Sequence, residues 1–321
     1  MSTDQTAAPA PTVASSPLPM ATADWATLVL LAAIWGGSFF FAKVAVVEIP
    51  PLLLVFFRVA IAALILVTVL TATGGLMRLS GKMIAAFFFM GLFNNVVPFT
   101  LLFWAQTHIP SGLASILNAT TPLFTLLIAH FFTRDDKLTG GRLAGILCGF
   151  AGVVVMIGPH LLDQLGSDLM AQLACIGAAM SYGVTAVFGR RFRGLPPMLA
   201  AGGQLTASSI MLAPVVAVLY QPWTMPLPSA PVLASVILLA AMSTAFAYIL
   251  FFRILGRNGA TNISLVTLLV PVSAILLGAL ILGEALEPRD FAGFALIALG
   301  LAAIDGRPAR FIGRLAGARG I

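Results

Sequence analysis

Charge is scarce in this sequence. Only 9% of its 321 residues are Asp, Glu, Lys or Arg, against about 25% in a soluble globular domain. With 60% of the residues hydrophobic, too few polar groups remain to cover a water-facing surface. That excludes an ordinary soluble fold and indicates a polytopic membrane protein. Cysteine is scarcer still: Cys148 and Cys175 are the whole complement. Both fall in apolar runs without metal-ligating neighbours, so neither a disulfide framework nor a metal site is expected. The third shortage is of titratable groups at depth. All 11 acidic residues and all 3 histidines fall in loops or near the ends of apolar stretches. An intramembrane enzyme needs paired carboxylates, metal ligands, or a serine with a base at one depth. A proton relay across a membrane generally needs an intramembrane Asp, Glu or His. Neither pattern is found, so no enzyme, no cofactor and no proton relay is expected.

What is there is a series of apolar stretches of membrane-spanning length. They run at about 24–46, 51–71, 82–103, 111–132, 140–158, 168–188, 198–220, 231–252, 260–282 and 291–305. The fold class follows: all-α, integral to the membrane, with ten transmembrane helices and almost no chain left for a soluble domain. The net charge of +6 raises nucleic acid as a partner, but its distribution argues for lipid instead. With the N-terminus inside, the inner loops and tail collect clusters such as Arg134 and Lys137, Arg190, Arg191 and Arg193, and Arg307 to Arg319. The outer loops receive only Arg289. The positive-inside rule then sets both termini in the cytoplasm, and the basic surplus meets anionic headgroups. No nucleic-acid partner is expected. Residues 1–23, rich in Ala, Pro, Ser and Thr, read as a disordered cytoplasmic tail rather than a signal peptide, and 307–321 as a basic cytoplasmic tail.

Polar residues inside the stretches are the candidates for a site. Trp35-Gly36-Gly37-Ser38 opens the list: an indole N–H at mid-span needs a partner, and paired glycines admit a ligand or a neighbouring helix. Asn94 and Asn95 stand together mid-span with Pro98 just beyond. Adjacent helix positions point about 100° apart, so at least one amide should face the bundle. Ser115-Ile-Leu-Asn-Ala-Thr-Thr-Pro122 places Asn118, Thr120 and Thr121 beside a proline that frees the Asn118 carbonyl. Ser264-Leu-Val-Thr-Leu-Leu-Val-Pro271 repeats that spacing, with Thr267 in the place of Asn118. Further polar residues are Tyr182, Gln204, Ser243, Thr244 and Tyr248. Arg58 lies about two turns into the second stretch, where it reads either as an anchor snorkelling toward Glu48 or as a substrate contact. Lys43 lies near the outer end and reads as a headgroup anchor. Gly141, Gly145 and Gly149 form a small-residue ridge for close helix contact. The Arg134-Asp135-Asp136-Lys137 run reads as a solvated interface.

The halves of the chain repeat one another. Trp35-Gly36 matches Tyr182-Gly183 at a shift of 147, Ser115 and Pro122 match Ser264 and Pro271 at 149, and Gly145 and Gly152 match Gly293 and Gly300 at 148; Gly158 and Gly306 continue that last series. Shifts this constant indicate a duplication. Five stretches per half is an odd number, so the halves enter the membrane in opposite directions. Inverted repeats of this kind build alternating access about a site at the repeat interface.

Trp35-Gly-Gly-Ser38, Phe57-Arg58, the proline of the fourth stretch, and Pro271 with Gly283-Glu284, Gly293 and Gly300 together resemble the drug/metabolite transporter superfamily, EamA type. The resemblance spans about residues 24–306. It implies two inverted five-helix repeats, 24–158 and 168–306, around a central cavity lined by spans 1, 3, 4, 6, 8 and 9. The family's range, from YddG-like exporters of aromatic and hydrophobic amino acids to sugar and nucleotide-sugar carriers and drug efflux pumps, marks the expected substrates. Asp135-Asp136 stands where the second half has Gly283-Glu284, so that motif is well formed only once. On those cavity-lining spans the mid-depth residues are Trp35, Asn94, Asn95, Asn118, Thr121, Tyr182, Ser243, Thr244, Tyr248 and Thr267, with Pro98, Pro122 and Pro271 as kink or gating positions. None of these is charged. A neutral, amide- and aromatic-lined cavity suits a zwitterion or an uncharged hydrophobic metabolite better than a phosphorylated one, which calls for Lys or Arg at that depth. The expected partners are a small-molecule substrate and the bilayer. One chain supplies both halves, so a monomer is expected, with a homodimer through the glycine ridge as the alternative.

Overall fold

A computed structural model describes residues 21–133, 139–157, 167–192, 194–251, 253–254 and 266–305. The expectations for the two tails, the 134–137 charge run, Ser264, Gly158 and Gly306 lie outside these residues. The described chain contains helices and no strand, as runs of apolar residues without turn chemistry require when every backbone group must be bonded internally. The helices are α1 (Thr22–Ala45), α2 (Pro51–Ala72), α3 (Gly81–Ala105), α4 (Ser111–Phe132), α5 (Gly140–Ile157), α6 (Ser167–Phe188), α7 (Pro197–Tyr220), α8 (Ala230–Phe251), α9 (Val266–Leu282) and α10 (Pro288–Asp305). Proline opens α2, α7 and α10, where its missing N–H costs no helical bond. Among the described residues seven helices, α1 to α4 and α6 to α8, are long and apolar enough to cross a membrane; α5 and α9 carry the shorter apolar stretches Leu143–Val155 and Leu269–Leu282.

Contacts across the bundle carry the signature of a two-fold axis. In such an interface residue i of one half meets j of the other, and j meets i. A side chain on Gly300 would strike the Gly145 carbonyl at 2.5 Å, and one on Gly152 would strike the Gly293 carbonyl at 2.6 Å. Gly145 and Gly293 are repeat equivalents, as are Gly152 and Gly300, so the pairing is reciprocal. The α1–α9 and α6–α4 crossings obey the same rule. Gly36 abuts Ser273 and Ala274, and Gly183 abuts Phe124 and Thr125. The glycine ridge therefore packs α5 on α10 within one chain, as backbone-close crossings of small residues do. Gly141 is the exception, since nothing lies within 4 Å of its side-chain position.

Three helices depart from regular geometry, and these departures position the site. In α3 the segment Gly91–Val96 is a π-helix, with the Val97 N–H bonded to the Leu92 carbonyl five residues back. The wider turn makes room for the Pro98 ring, whose clash would otherwise kink the helix. In α8 the segment Ala241–Phe246 is likewise π-helical, with Ala247 N–H on the Met242 carbonyl and the Thr244 hydroxyl on the Leu239 carbonyl. The sequence reading anticipated a proline kink in α3 and nothing at all in α8. In α4 the break falls at Ala119–Thr120, between Ser111–Asn118 and Thr121–Phe132. The Asn118 carbonyl freed by Pro122 accepts the Thr121 hydroxyl at 2.7 Å, which is how a membrane helix re-satisfies such a group. Pro271, by contrast, lies inside an unbroken α9.

Candidate functional site

The two π-segments face each other across α2, and a charged residue stands between them. Arg58 is 6% exposed, inside the bundle and not snorkelling outward. Its guanidinium lies over the Phe99 ring at 3.8 Å, with Phe103 at 5.7 Å, and its Nε–H donates to the Thr244 hydroxyl at 2.9 Å. Tyr182 and Tyr248 are its electrostatic neighbours. This corrects the expectation of a wholly neutral interior. Glu48, the anchor proposed for Arg58, is engaged elsewhere: its carboxylate accepts the Ser229 hydroxyl at 2.6 Å and the Ser229 N–H at 2.7 Å. Those bonds, the hydroxyl first, hold the Glu48 carboxyl below its usual range. Lys43 also differs from its reading as a headgroup anchor. Its ammonium donates to the carbonyls of Gln106 and Ile109 at the end of α3, at 2.6 and 2.9 Å.

A hydrogen-bonded cluster continues from Arg58 through the first half's π-segment. Asn94 donates to Gln204 Oε1 at 2.9 Å, accepts the Thr185 hydroxyl at 2.9 Å, and shares a hydrogen bond with the Tyr248 side chain. Counting from the prolines that open α2 and α7, Arg58 and Gln204 occupy matching positions, and Asn94 and Thr244 match across the two π-segments. The contacts Arg58–Thr244 and Gln204–Asn94 are thus one contact made twice, charged in one half and neutral in the other.

The remaining expected site residues divide by what their polar atoms already do. Asn95 is fully buried and donates to Ser208 at 3.0 Å; the Ser208 hydroxyl in turn bonds the Gly91 carbonyl at 3.0 Å. Ser243 donates to the Ile34 carbonyl at 3.1 Å, tying α8 to α1. The equivalent tie in the other half runs from Ser181 to the Phe93 carbonyl, with donor and acceptor exchanged. Thr121 serves the α4 break, while Asn118 Oδ1 is buried without a partner, as is Asn95 Oδ1. Trp35 packs on Phe251, ring centroids 5.6 Å apart. Thr267 is half-buried on α9, and of the prolines Pro98 and Pro271 are buried and Pro122 half-buried. Tyr182 packs edge-on against Phe99. The structure therefore brings Asn94, Thr244, Tyr182 and Tyr248 together around Arg58. It spends Asn95, Ser243 and Thr121 on helix contacts; the sequence reading missed Phe99 and the centrality of Gln204, and it noted Thr185 beside Tyr182 without placing it in the site. A repeat alignment anchored on Pro51 and Pro197, rather than on the glycines, would have set Gln204 opposite Arg58.

A cleft of about 270 Å³ adjoins the cluster, lined by Leu66 of α2, Pro197, Met198 and Ala201 of α7, and Tyr248, Ile249 and Arg253. Tyr248 belongs to both. The cleft lies at the end of the bundle where α7 begins. At the opposite end, the Glu48–Ser229 and Lys43 contacts join neighbouring loops, together with Glu284, whose carboxylate accepts the Ser111 hydroxyl and N–H. Among the described residues no group of His, Cys, Asp and Glu could hold a metal ion.

Comparison with known proteins agrees with this architecture. A transporter named YoaV in Bacillus subtilis is 26% identical over 273 residues, 84% of this chain and 91% of its own. A probable amino-acid metabolite efflux pump of Escherichia coli is 26% identical over 301 residues, 88% of this chain and 94% of its own. The inner membrane transporter YedA of Escherichia coli is 27% identical over 272 residues, 82% and 84% respectively. A protein of known crystal structure superposes with a TM-score of 0.61 at 24% identity, covering 87% of this chain and 97% of that one, which supports the fold. The EamA-like transporter family model matches twice, at residues 24–158 and 169–304. The protein is a multi-pass membrane transporter and not an enzyme, and it belongs to the EamA-like transporter family.

Proposed function

We propose that this protein exports small zwitterionic or neutral metabolites, foremost aromatic and hydrophobic amino acids, across a bacterial-type inner membrane by alternating access. The carrying observation is the cluster of Asn94, Tyr248 and Thr244, which joins the two halves at their π-segments and adjoins the cleft. π-turns recur at functional sites in helices, and a site at the interface of inverted repeats is where alternating access needs it. The reading takes both termini as cytoplasmic from the charge asymmetry, so that the cleft opens inward and the Glu48, Lys43 and Glu284 contacts close the outer end. It takes 24–158 and 168–306 as the two moving repeats. The α5–α10 glycine pairing within one chain favours a monomer. Relatives named amino-acid metabolite efflux pumps support the substrate class.

The test is counterflow of labelled phenylalanine in proteoliposomes without a pH gradient or potential, with amino acids and sugars as competitors. Saturable exchange blocked by hydrophobic amino acids is expected. Strict dependence on a proton gradient would remove facilitated diffusion. Competition by sugars alone would turn the assignment to the sugar carriers of the superfamily.

A further inference from the structure

A guanidinium carries five N–H donors in a planar fork. In Arg58 one of them, Nε–H, is spent on Thr244. The four on the two Nη atoms have no hydrogen-bond partner among the described residues. Arg58 keeps 6% of its surface, and among the described residues the fully buried side-chain polar atoms without partners are others, such as Asn95 Oδ1 and Asn118 Oδ1. No carboxylate lies within ion-pair distance of Arg58 among the described residues. A buried cation without a counter-charge is strongly disfavoured, and among the described residues the Phe99 and Phe103 faces and the Thr244 hydroxyl are what offset it. Such a group is retained where something else completes it.

We propose that the Nη edge of Arg58 is the site that takes the substrate's carboxylate. This rests on the reading of the central cluster as the transport site. With Nε held by Thr244 and the plane held on Phe99, the end-on Nη1/Nη2 edge is presented at fixed orientation. That edge matches the two oxygens of one carboxylate. Its repeat counterpart, Gln204, makes the matching bond with an uncharged amide. The paired contact at the repeat interface is therefore electrically one-sided, Arg253 lying apart from it in the adjoining cleft: the anionic end of a zwitterion is bound by the first half of the chain, and the apolar body is left to the aromatic side chains. The fork fits phosphate as well as carboxylate, but one guanidinium leaves the second charge of a phosphate dianion uncompensated in a buried site, so an ester phosphate is expected to bind less well. The ligand class is a small carboxylate with an apolar body. Amines and amides of the same shape are excluded, because they would leave the cation buried and unpaired.

The experiment is calorimetric titration of the purified full-length protein in detergent with phenylalanine, 3-phenylpropionate, phenylethylamine, phenylalaninamide and glucose 6-phosphate. The native protein is expected to bind the first two and to disfavour the amine and the amide by about 100-fold. Arg58→Gln should erase that preference, and Arg58→Lys should keep part of it, as a point charge without the fork does. Equal binding of phenylalanine and phenylethylamine by the native protein overturns the assignment even if Arg58→Gln does not fold, and so does an undiminished preference in a folded Arg58→Gln. Binding of 3-phenylpropionate but not phenylalanine, lost in Arg58→Gln, keeps the carboxylate site and removes the amino-acid reading. Tightest binding of the phosphate, or no binding of any carboxylate, overturns the proposal.

Discussion

Glu284 caps the first turn of α4 through Ser111. Its carboxylate accepts the Ser111 N–H at 2.8 Å, the Ser111 hydroxyl at 2.7 Å and the Gly112 N–H at 3.3 Å. Gly278 makes room for it, since a side chain there would meet the carboxylate and the Ser111 hydroxyl. The Gly283-Glu284 motif is thereby explained: Gly283 takes a left-handed turn, φ +66°, that returns the carboxylate to a helix terminus carrying partial positive charge. Replacing Glu284 with alanine leaves those donors unanswered. A loss of about 1–2 kcal/mol is expected, read as a lower melting temperature in detergent, with Glu284→Gln intermediate. An unchanged melting temperature in Glu284→Ala would show that the cap contributes nothing.

The Glu48–Ser229 pair gives a pH dependence whose sign is fixed. Hydrogen bonds from the Ser229 hydroxyl and N–H hold the Glu48 carboxyl below its ordinary value of 4.5. A group depressed in the folded state contributes stability that is fully present above the unfolded value and lost as pH falls through the folded one. Thermal unfolding should therefore show a loss of stability below about pH 4.5 that shrinks in Ser229→Ala. An identical acid limb in both proteins would refute the assignment.

The glycines of α5 and α10 differ in what a methyl group would meet. At Gly300 it meets the Gly145 carbonyl at 2.5 Å and the Gly149 nitrogen at 2.7 Å, both backbone, while at Gly141 it meets nothing. Backbone cannot yield as a flexible side chain can, so Gly300→Ala should cost about 1–3 kcal/mol and Gly141→Ala less than about 0.5 kcal/mol. Melting temperatures of the two variants, compared in one detergent, measure the difference. Equal values would disprove the intrachain glycine crossing.

The ten helices, the duplication and its inversion were all legible, because apolar run length and a constant repeat shift are one-dimensional signals. Side-chain direction was not. Arg58 stands close enough to the start of α2 to snorkel by count alone. Only the packing of Phe99 and the position of Thr244 across 186 residues of chain turn it inward. The π-segments were hidden for a related reason. Pro98 marks one of them, but at the matching place in α8 stands Tyr248, and a hydroxyl bonding five residues back leaves no composition signal. Thr121, read as a ligand contact, turned out to answer the carbonyl that its own neighbour frees.

The paired prolines separate on the same physical ground. Pro122 follows a break that is already complete, with Ala119 and Thr120 outside the helix and the Asn118 carbonyl held by Thr121. Pro271 interrupts the bonding of a helix that runs on through it, where an interior proline costs about 3 kcal/mol before neighbours compensate. Pro271→Ala should therefore raise the melting temperature. Pro122→Ala should leave it nearly unchanged, yet restore an N–H that competes with Thr121 for the Asn118 carbonyl and so tends to straighten α4. If the α4 break is where one repeat flexes against the other, Pro122→Ala changes the counterflow rate several-fold at native expression. A native rate in Pro122→Ala would mean that the break is carried by the turn alone and that the proline has no part in the movement.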